Sequence, residues 1–368
     1  MEMKTYGVPA VERFLIDAFR GFGFTVAQAK TITEVLLLAD LYGIRSHGTQ
    51  RLVRYHKHIR CGSIKVDAVP EVVFETPVSA VVDGHGGMGQ VIASFANDLA
   101  IEKAKRTGIA MVSVRNSNHF GIAGYYTKKA VDQGLIALAT TNSESIMVHT
   151  NAKEAVLGSN PIAFAMPAEP YPFWFDAATT VVPRGRLEVY KKAGNELPAG
   201  WAIDETGREC RDASRVLDCI SAHEGGGILP VGGSEETNGS HKGYGFSMIA
   251  ELLSSITSGG STSNHHVRIP GQGAGSCHAF LVIDPRIFGD PEEMKQHLSV
   301  FLQELRDAMR RDPEIPIYTH GEKEAISYRK RMEEGIPIDL KTVSEMVDIC
   351  RDLGMDSMEY LGMADGKK

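Results

Sequence analysis

The chain has 368 residues, 43% hydrophobic and 23% charged, and a formal net charge of -7 at pH 7. That is the composition of a globular chain long enough for a sizeable core, and its acidic balance disfavours a nucleic-acid binder, which needs a basic surface to neutralise phosphate. No apolar run approaches the roughly 20 residues of a membrane span. The stretch MEMKTYGVPAVERF lacks the apolar centre of a signal peptide. Five scattered cysteines, Cys61, Cys210, Cys219, Cys277 and Cys350, include no C-x-x-C pair and read as reduced thiols of a cytoplasmic protein.

In chain order, residues 8–60 are helical. Val11, Phe14, Leu15 and Phe19 recur at helix spacing. Thr25 and Gln28 have capping-box spacing ahead of a second helix that ends at Gly43. A third helix is expected to start at Ser46, a natural N-cap, and to stop before Gly62. From residue 71 to about 288, short β-rich runs such as SAVV, GIAMVSV, LIALATT and AFLVID alternate with glycine-marked turns and two clear helices. This is an α/β pattern. Glycine-rich stretches such as GSEETNGS read as surface turns. From Pro291 the chain is helical again. Leu298, Phe301, Leu302, Leu305 and Met309 share one face, as do Val343, Met346, Val347, Cys350 and Leu353. The expected organisation is a helical layer from residues 1–75 and 290–368 beside an α/β domain over 76–289.

Within that domain, VVDGHGGMGQVIAS carries G-x-G-x-x-G as Gly84, Gly86 and Gly89, between a strand-like run and a helix-like one. A Rossmann unit also needs an acid after its second strand to hold the ribose hydroxyls. Here that strand is followed by Arg115, Asn116, Ser117, Asn118 and His119. A tight turn is therefore the better reading.

Four constellations carry chemistry. RNSNHFGIAGYY puts His119 at a strand-to-helix junction, where an imidazole can transfer protons near neutrality or serve as a satisfied structural residue. IRSHGTQRLVRYH puts Arg51 and Arg54 four and seven residues after His47, on one helical face. Guanidinium forks there suit a carboxylate, although a solvated basic face has the same pattern. NGSHKGYGFSMIAELLSS carries Lys242 and Gly243 into a helix whose apolar face is Phe246, Ile249, Leu253 and Ile256, an arrangement able to hold a diphosphate. Asp176 closes the apolar run FWFD and either orients a histidine or caps a turn. No metal site is expected: His265 and His266 are adjacent, so their side chains diverge, and the zinc-protease spacings are absent.

Taken together, RSHGTQRL, VDGHGGMGQV, VRNSNHFGIAGYY, GSNPIAFAMP, FDAATTVVPRG, PAGWAIDETG, HKGYGFSMIAELLS and VIDP resemble, in order and over nearly the whole chain, the type-two malate/L-lactate dehydrogenases. The resemblance implies an α/β fold with a mixed sheet and flanking helices, a non-Rossmann NAD(P)-binding fold, and a homodimer. It implies hydride transfer between NAD, or NADP, and a small 2-hydroxy or 2-oxo acid, with malate or L-lactate foremost. The same fold also serves reductases of cyclic imines and sugar acids, and a non-catalytic nucleotide-binding homologue is the more distant alternative. By position, His47 matches the family's proton-carrying histidine, with Ser46 and Asp176 as its relay partners. His119 matches a second histidine that some members use as the base. Arg51, with Arg54, fits the carboxylate clamp. Ser143, Asp176, Ala177, Ala178, Thr179, Lys242, Gly243, His320, Gly321 and Glu322 fall where the family holds its cofactor. Two departures stand out: His320-Gly321-Glu322 replaces a proline-glycine-glutamate turn, and His149-Thr150-Asn151-Ala152 replaces P-x-G-G.

Overall fold

The computed structural model describes residues 2–266 and 273–362. Its centre is a seven-stranded sheet in the order Glu71–Glu75, Ser79–Asp83, Ile109–Ser117, Ser276–Ile283, Ile136–Thr141, Ile162–Met166, Phe173–Ala177. Only Ser79–Asp83 and Ile109–Ser117 run parallel, joined through the helix Gly89–Thr107; every other neighbouring pair is antiparallel. A Rossmann sheet is mostly parallel, so this mixed sheet is a different solution. A smaller four-stranded sheet includes Met147–Val148 and Gly227–Ile228.

The large sheet and the helices Gly89–Thr107 and Gly124–Val131 share one core, built around Val82, Ile92, Val112, Tyr126 and Phe280. A second core takes side chains from both chain ends: Phe14, Leu15, Phe19, Ile32, Leu36, Val343, Met346 and Cys350. Within it, the strand Met3–Tyr6 pairs antiparallel with Ile336–Asp339. The capping box at Thr25 and Gln28 forms as the spacing requires. No two of the five cysteines are joined in a disulfide.

The structure adds three findings to this reading. Ser46 does not cap an α-helix; the chain passes through short 3-10 turns at Arg45–His47 and Thr49–Arg51 before the helix Leu52–Arg60. The cause is the buried Asp40, which accepts the Thr49 N–H at 2.8 Å and pins the turn from behind. The contact is so close that a Cβ at Gly48 would lie 1.9 Å from the Asp40 carboxylate. Second, in the helix Pro291–Asp307 only Leu302 is buried, whereas Phe301 and Leu305 are exposed and Met309, just beyond it, is fully so. Third, Phe246, Ile249 and Ile256 point to solvent rather than into the core.

The glycine fingerprint is a turn. The N–H groups of Gly84 and Gly86 are spent on the carbonyls of Arg115 and Asn116, at 2.9 and 2.7 Å, and that of Gly87 on Gly84. Gly86 needs its positive φ of 78°. A Cβ at Gly89 would lie 2.3 Å from the carbonyl oxygens of Asn118 and His119. A helix start pressed against carbonyls, with its loop donors already used, has nothing to offer a pyrophosphate. It holds the segment that carries His119.

Candidate active site

A cleft of about 690 Å³ opens between the helical layer and the sheet. Ser46, His47, Arg51 and Arg54 line one side; His119, Ser143, Asp176, Ala177 and Ala178 line the others. The structure thus brings together residues from four separate stretches of sequence.

The His47 and His119 rings stack with centroids 5.3 Å apart and planes 20° from parallel. Both rings open partly into the cleft, yet protein encloses them on the remaining sides. Burial, reinforced by Arg51 and Arg54, lowers His47 to about 3. Burial, then the neighbouring His47, Arg51 and Arg54, holds His119 well below the usual range. Both imidazoles are therefore neutral at pH 7. His47 Nδ1 lies 2.9 Å from Ser46 Oγ. His119 Nδ1 lies 2.7 Å from the Tyr55 hydroxyl, which also accepts the Gln90 amide at 2.8 Å.

Arg51 Nε donates to the Ser46 carbonyl, and no ion pair to Arg51 forms among the described residues. Burial depresses its guanidinium first, and Arg54 adds to this. A half-buried cation with no ion-pair partner among the described residues, offset only through space by Tyr55 and Glu188, makes this a place for an anion. Arg184 enters the same cleft, held loosely by Glu144 at 3.4 Å and Glu188 at 3.5 Å.

Asp176 takes the capping role rather than orienting a histidine. Its carboxylate accepts the Gly124 N–H at 2.8 Å, at the start of the helix Gly124–Val131, and burial raises it to about 6. It faces the cleft, but its hydrogen bond runs to that helix and not to Ser46 or His47. Ser143 is fixed by its N–H to Asn160 Oδ1 at 3.1 Å. Asn160 in turn donates to the buried Glu251, which also takes Asn142 and the Ser263 N–H. Thr179 turns inward, its hydroxyl bonded to the Ser159 carbonyl.

The remaining residues lie outside the cleft. Lys242 is exposed in the first turn of the helix Ser240–Glu251, and a Cβ at Gly243 would lie 1.9 Å from the Val231 carbonyl oxygen. His320 sits at the outer sheet edge, where its carbonyl accepts the Trp174 N–H. Gly321 packs on Trp174, and Glu322 pairs with Arg306. Among the described residues there is no cluster able to hold a metal ion.

Residues 8–347 match the family model described as malate/L-lactate dehydrogenase. The chain belongs to that family. A malate dehydrogenase of Pyrococcus abyssi is 40% identical over 346 residues, which cover 94% of each chain. An L-sulfolactate dehydrogenase of Methanocaldococcus jannaschii is 34% identical, over 95% of this chain and 97% of that one. The crystal structure of malate dehydrogenase from Entamoeba histolytica superposes with a TM-score of 0.93 at 33% identity, covering 96% of this chain and 99% of that chain. The chain is thus a dehydrogenase of the 2-hydroxyacid type. Within this family frame, sequence reasoning overlooked three cleft residues or supports: Tyr55, Gln90 and Arg184. Tyr55 was legible in principle, since it stands four residues after Arg51 on the same helical face. Gln90 and Arg184 enter from distant elements that no local pattern connects to His119 or Arg51.

Proposed function

We propose that this protein interconverts malate and oxaloacetate, or a closely related small 2-hydroxy acid and its 2-oxo partner, with NAD or NADP. The carrying observation is the pairing of two neutral, stacked histidines with a half-buried Arg51 that has no ion pair among the described residues, all in one cleft. Arg51, with Arg54, holds the substrate carboxylate by a two-pronged hydrogen bond. In the oxidative direction neutral His47 is in the right state to take the hydroxyl proton as C2 gives up its hydride. Carboxylate binding offsets the two guanidinium charges that depress His47, so the imidazolium is stabilised when the proton arrives.

The cleft fits a second, larger ligand. Its volume exceeds the needs of a small acid and falls within the ~300–1,000 Å³ of sites for sizeable ligands. Two buried polar atoms on its wall, Thr180 Oγ1 and His266 Nε2, have no partner among the described residues. When bound, the nicotinamide supplies the hydride chemistry. Ser143 and residues 176–178 line the arm beside the histidines. Thr179 holds that segment in place. Lys242 stands at the head of a helix whose Ser247 carbonyl and Glu251 carboxylate support the buried Asn160, which in turn fixes Ser143 of the cleft wall. Lys242, at that helix start, would hold the phosphates of a dinucleotide; the turn at 320–322 closes the sheet edge behind residue 174.

The functional unit is a homodimer. Phe246, Ile249, Leu252 and Ile256 form an exposed apolar stripe along one helix face, and Phe74, Val78 and Phe95 are exposed as well. Stripes of this kind mark association surfaces. Phe246→Glu with Ile249→Glu is expected to convert a dimer to a monomer in light-scattering chromatography; an unchanged mass removes this face from the interface. Five scattered cysteines with no C-x-x-C pair and no disulfide among them support a reducing, cytoplasmic setting.

The function is tested by following nicotinamide absorbance with NADH and NADPH against oxaloacetate, pyruvate, sulfopyruvate and a cyclic imine carboxylate. Oxaloacetate is expected to give the highest kcat/KM. A preference for the imine moves the protein to the other activity of this fold, and no turnover with any acid contradicts the reading.

A further inference from the structure

The two histidines differ in what lies behind them. His119 Nδ1 receives two groups: the Tyr55 hydroxyl at 2.7 Å and the backbone N–H of Gly121 at 3.3 Å. A backbone amide can only donate. Nδ1 is therefore an acceptor, and the Tyr55 hydroxyl must donate to it as well. The phenol oxygen is then free to accept the Gln90 Nε2–H at 2.8 Å. All donors run one way, from Gln90 to Tyr55 to His119. Tyr55 and Gln90 are 1% and 0% exposed, so water does not compete for these bonds. A neutral imidazole that accepts at Nδ1 carries its proton on Nε2. No described residue bonds Nε2, and His119 lines the cleft.

We propose that Tyr55 and Gln90 are positioning residues that hold His119 as its Nε2–H tautomer, so that His119 donates a hydrogen bond to the reacting oxygen and His47 alone exchanges the proton. This division of labour rests on the dehydrogenase reading given above. With a bound nicotinamide to accept the hydride from C2, the hydroxyl proton would go to His47, and the Nε2–H of His119 would stabilise charge on the same oxygen in both directions. The groups that face His119 are His47, Arg51, Arg54 and His278, all able to carry positive charge and none a carboxylate. Burial first, and then these groups, keep it neutral, while burial raises the Tyr55 phenol to about 12, so it remains a donor.

The test is nitrogen-15 NMR of histidine-labelled enzyme, with the His119 signals assigned through His119→Gln, combined with kinetics of Tyr55→Phe and Gln90→Met. In the native enzyme, Nδ1 is expected to resonate as a bare nitrogen and Nε2 as a protonated one, unchanged across the neutral range. Tyr55→Phe should mix the tautomers and lower kcat by roughly 10- to 100-fold, with KM and melting temperature nearly unchanged. Gln90→Met should do the same to a smaller extent with Tyr55 in place. A native spectrum with the proton on Nδ1, or a Tyr55→Phe enzyme whose tautomer and kcat are both unaltered, overturns the proposal. The spectrum is read without substrate, so a wrong substrate assignment would show in turnover alone and leave the tautomer result standing.

Discussion

Arg51 shows how one side chain can be anticipated in kind but not in setting. Its spacing from His47 places it on the correct face, and a solvated basic surface would have the same spacing. What separates the two readings is burial without an ion-pair partner, which depends on the helix Arg184–Ala193 closing over it: a Cβ at Gly185 would lie 3.9 Å from Arg51 Nη2. That contact joins positions more than 130 residues apart and has no local signature. Arg51→Lys is expected to raise KM for the acid by about 10- to 100-fold, the equivalent of losing a charge-assisted hydrogen bond worth ~1.5–3 kcal/mol. NADH affinity should be retained. An unchanged KM removes Arg51 from the carboxylate site. Asp176 teaches the complementary lesson: the sequence left two roles open, and the Gly124 N–H makes it a cap at the cleft edge.

At the scale of elements, short-range signals were legible and long-range partners were not. The first helix, the capping box at Thr25 and the buried face of the helix Leu340–Leu353 follow from periodicity and caps. The turn at 45–51 departs from the expected helix because Asp40, from the preceding helix, claims the Thr49 N–H. The apolar faces of residues 246–256 and 298–309 are legible as faces, but periodicity reports amphipathicity and not which surface covers it. Gly86 and Gly89 separate two functions of one turn. Gly86→Ala meets only ordinary contacts near 3.7 Å but needs positive φ. It should cost about 1 kcal/mol of stability and leave NADH affinity within a few-fold. Gly89→Ala pushes a methyl into the His119 carbonyl and should lower kcat and melting temperature together. Calorimetry beside NADH titration checks both; collapse of NADH affinity in Gly86→Ala at unchanged stability would mean that the loop holds phosphate after all.

For the whole molecule, the buried titratable groups set an acid limit. His47 and His278 are held near pH 3, in each case mainly by burial, and His119 well below its usual value. A histidine kept neutral in the fold binds its proton more readily once unfolded. Its contribution is thus complete above about pH 6.5 and is lost as pH falls towards 3. Asp40 and Asp176 act in the opposite sense: burial raises both to about 6, so each favours the fold as pH drops from about 6 towards 4. The lowered histidines, which include His56 and His266 as well, outnumber these two aspartates, so the net effect is a loss of stability as pH falls through 6.5. The melting temperature should therefore fall on going from neutral to mildly acidic buffer. A level or rising profile over that interval would show that the histidines are not held neutral.

His47→Ala is the most direct test of the assignment, because it removes the proton acceptor while leaving the cleft walls and Arg51 in place. Steady-state kinetics with oxaloacetate and NADH, beside a fluorescence titration with NADH, should show kcat lowered by roughly 10²-fold or more, with NADH affinity and melting temperature close to those of the native protein. A His47→Ala enzyme that keeps a near-native kcat, while His119→Ala abolishes turnover, would contradict the assignment and move the proton to the other histidine.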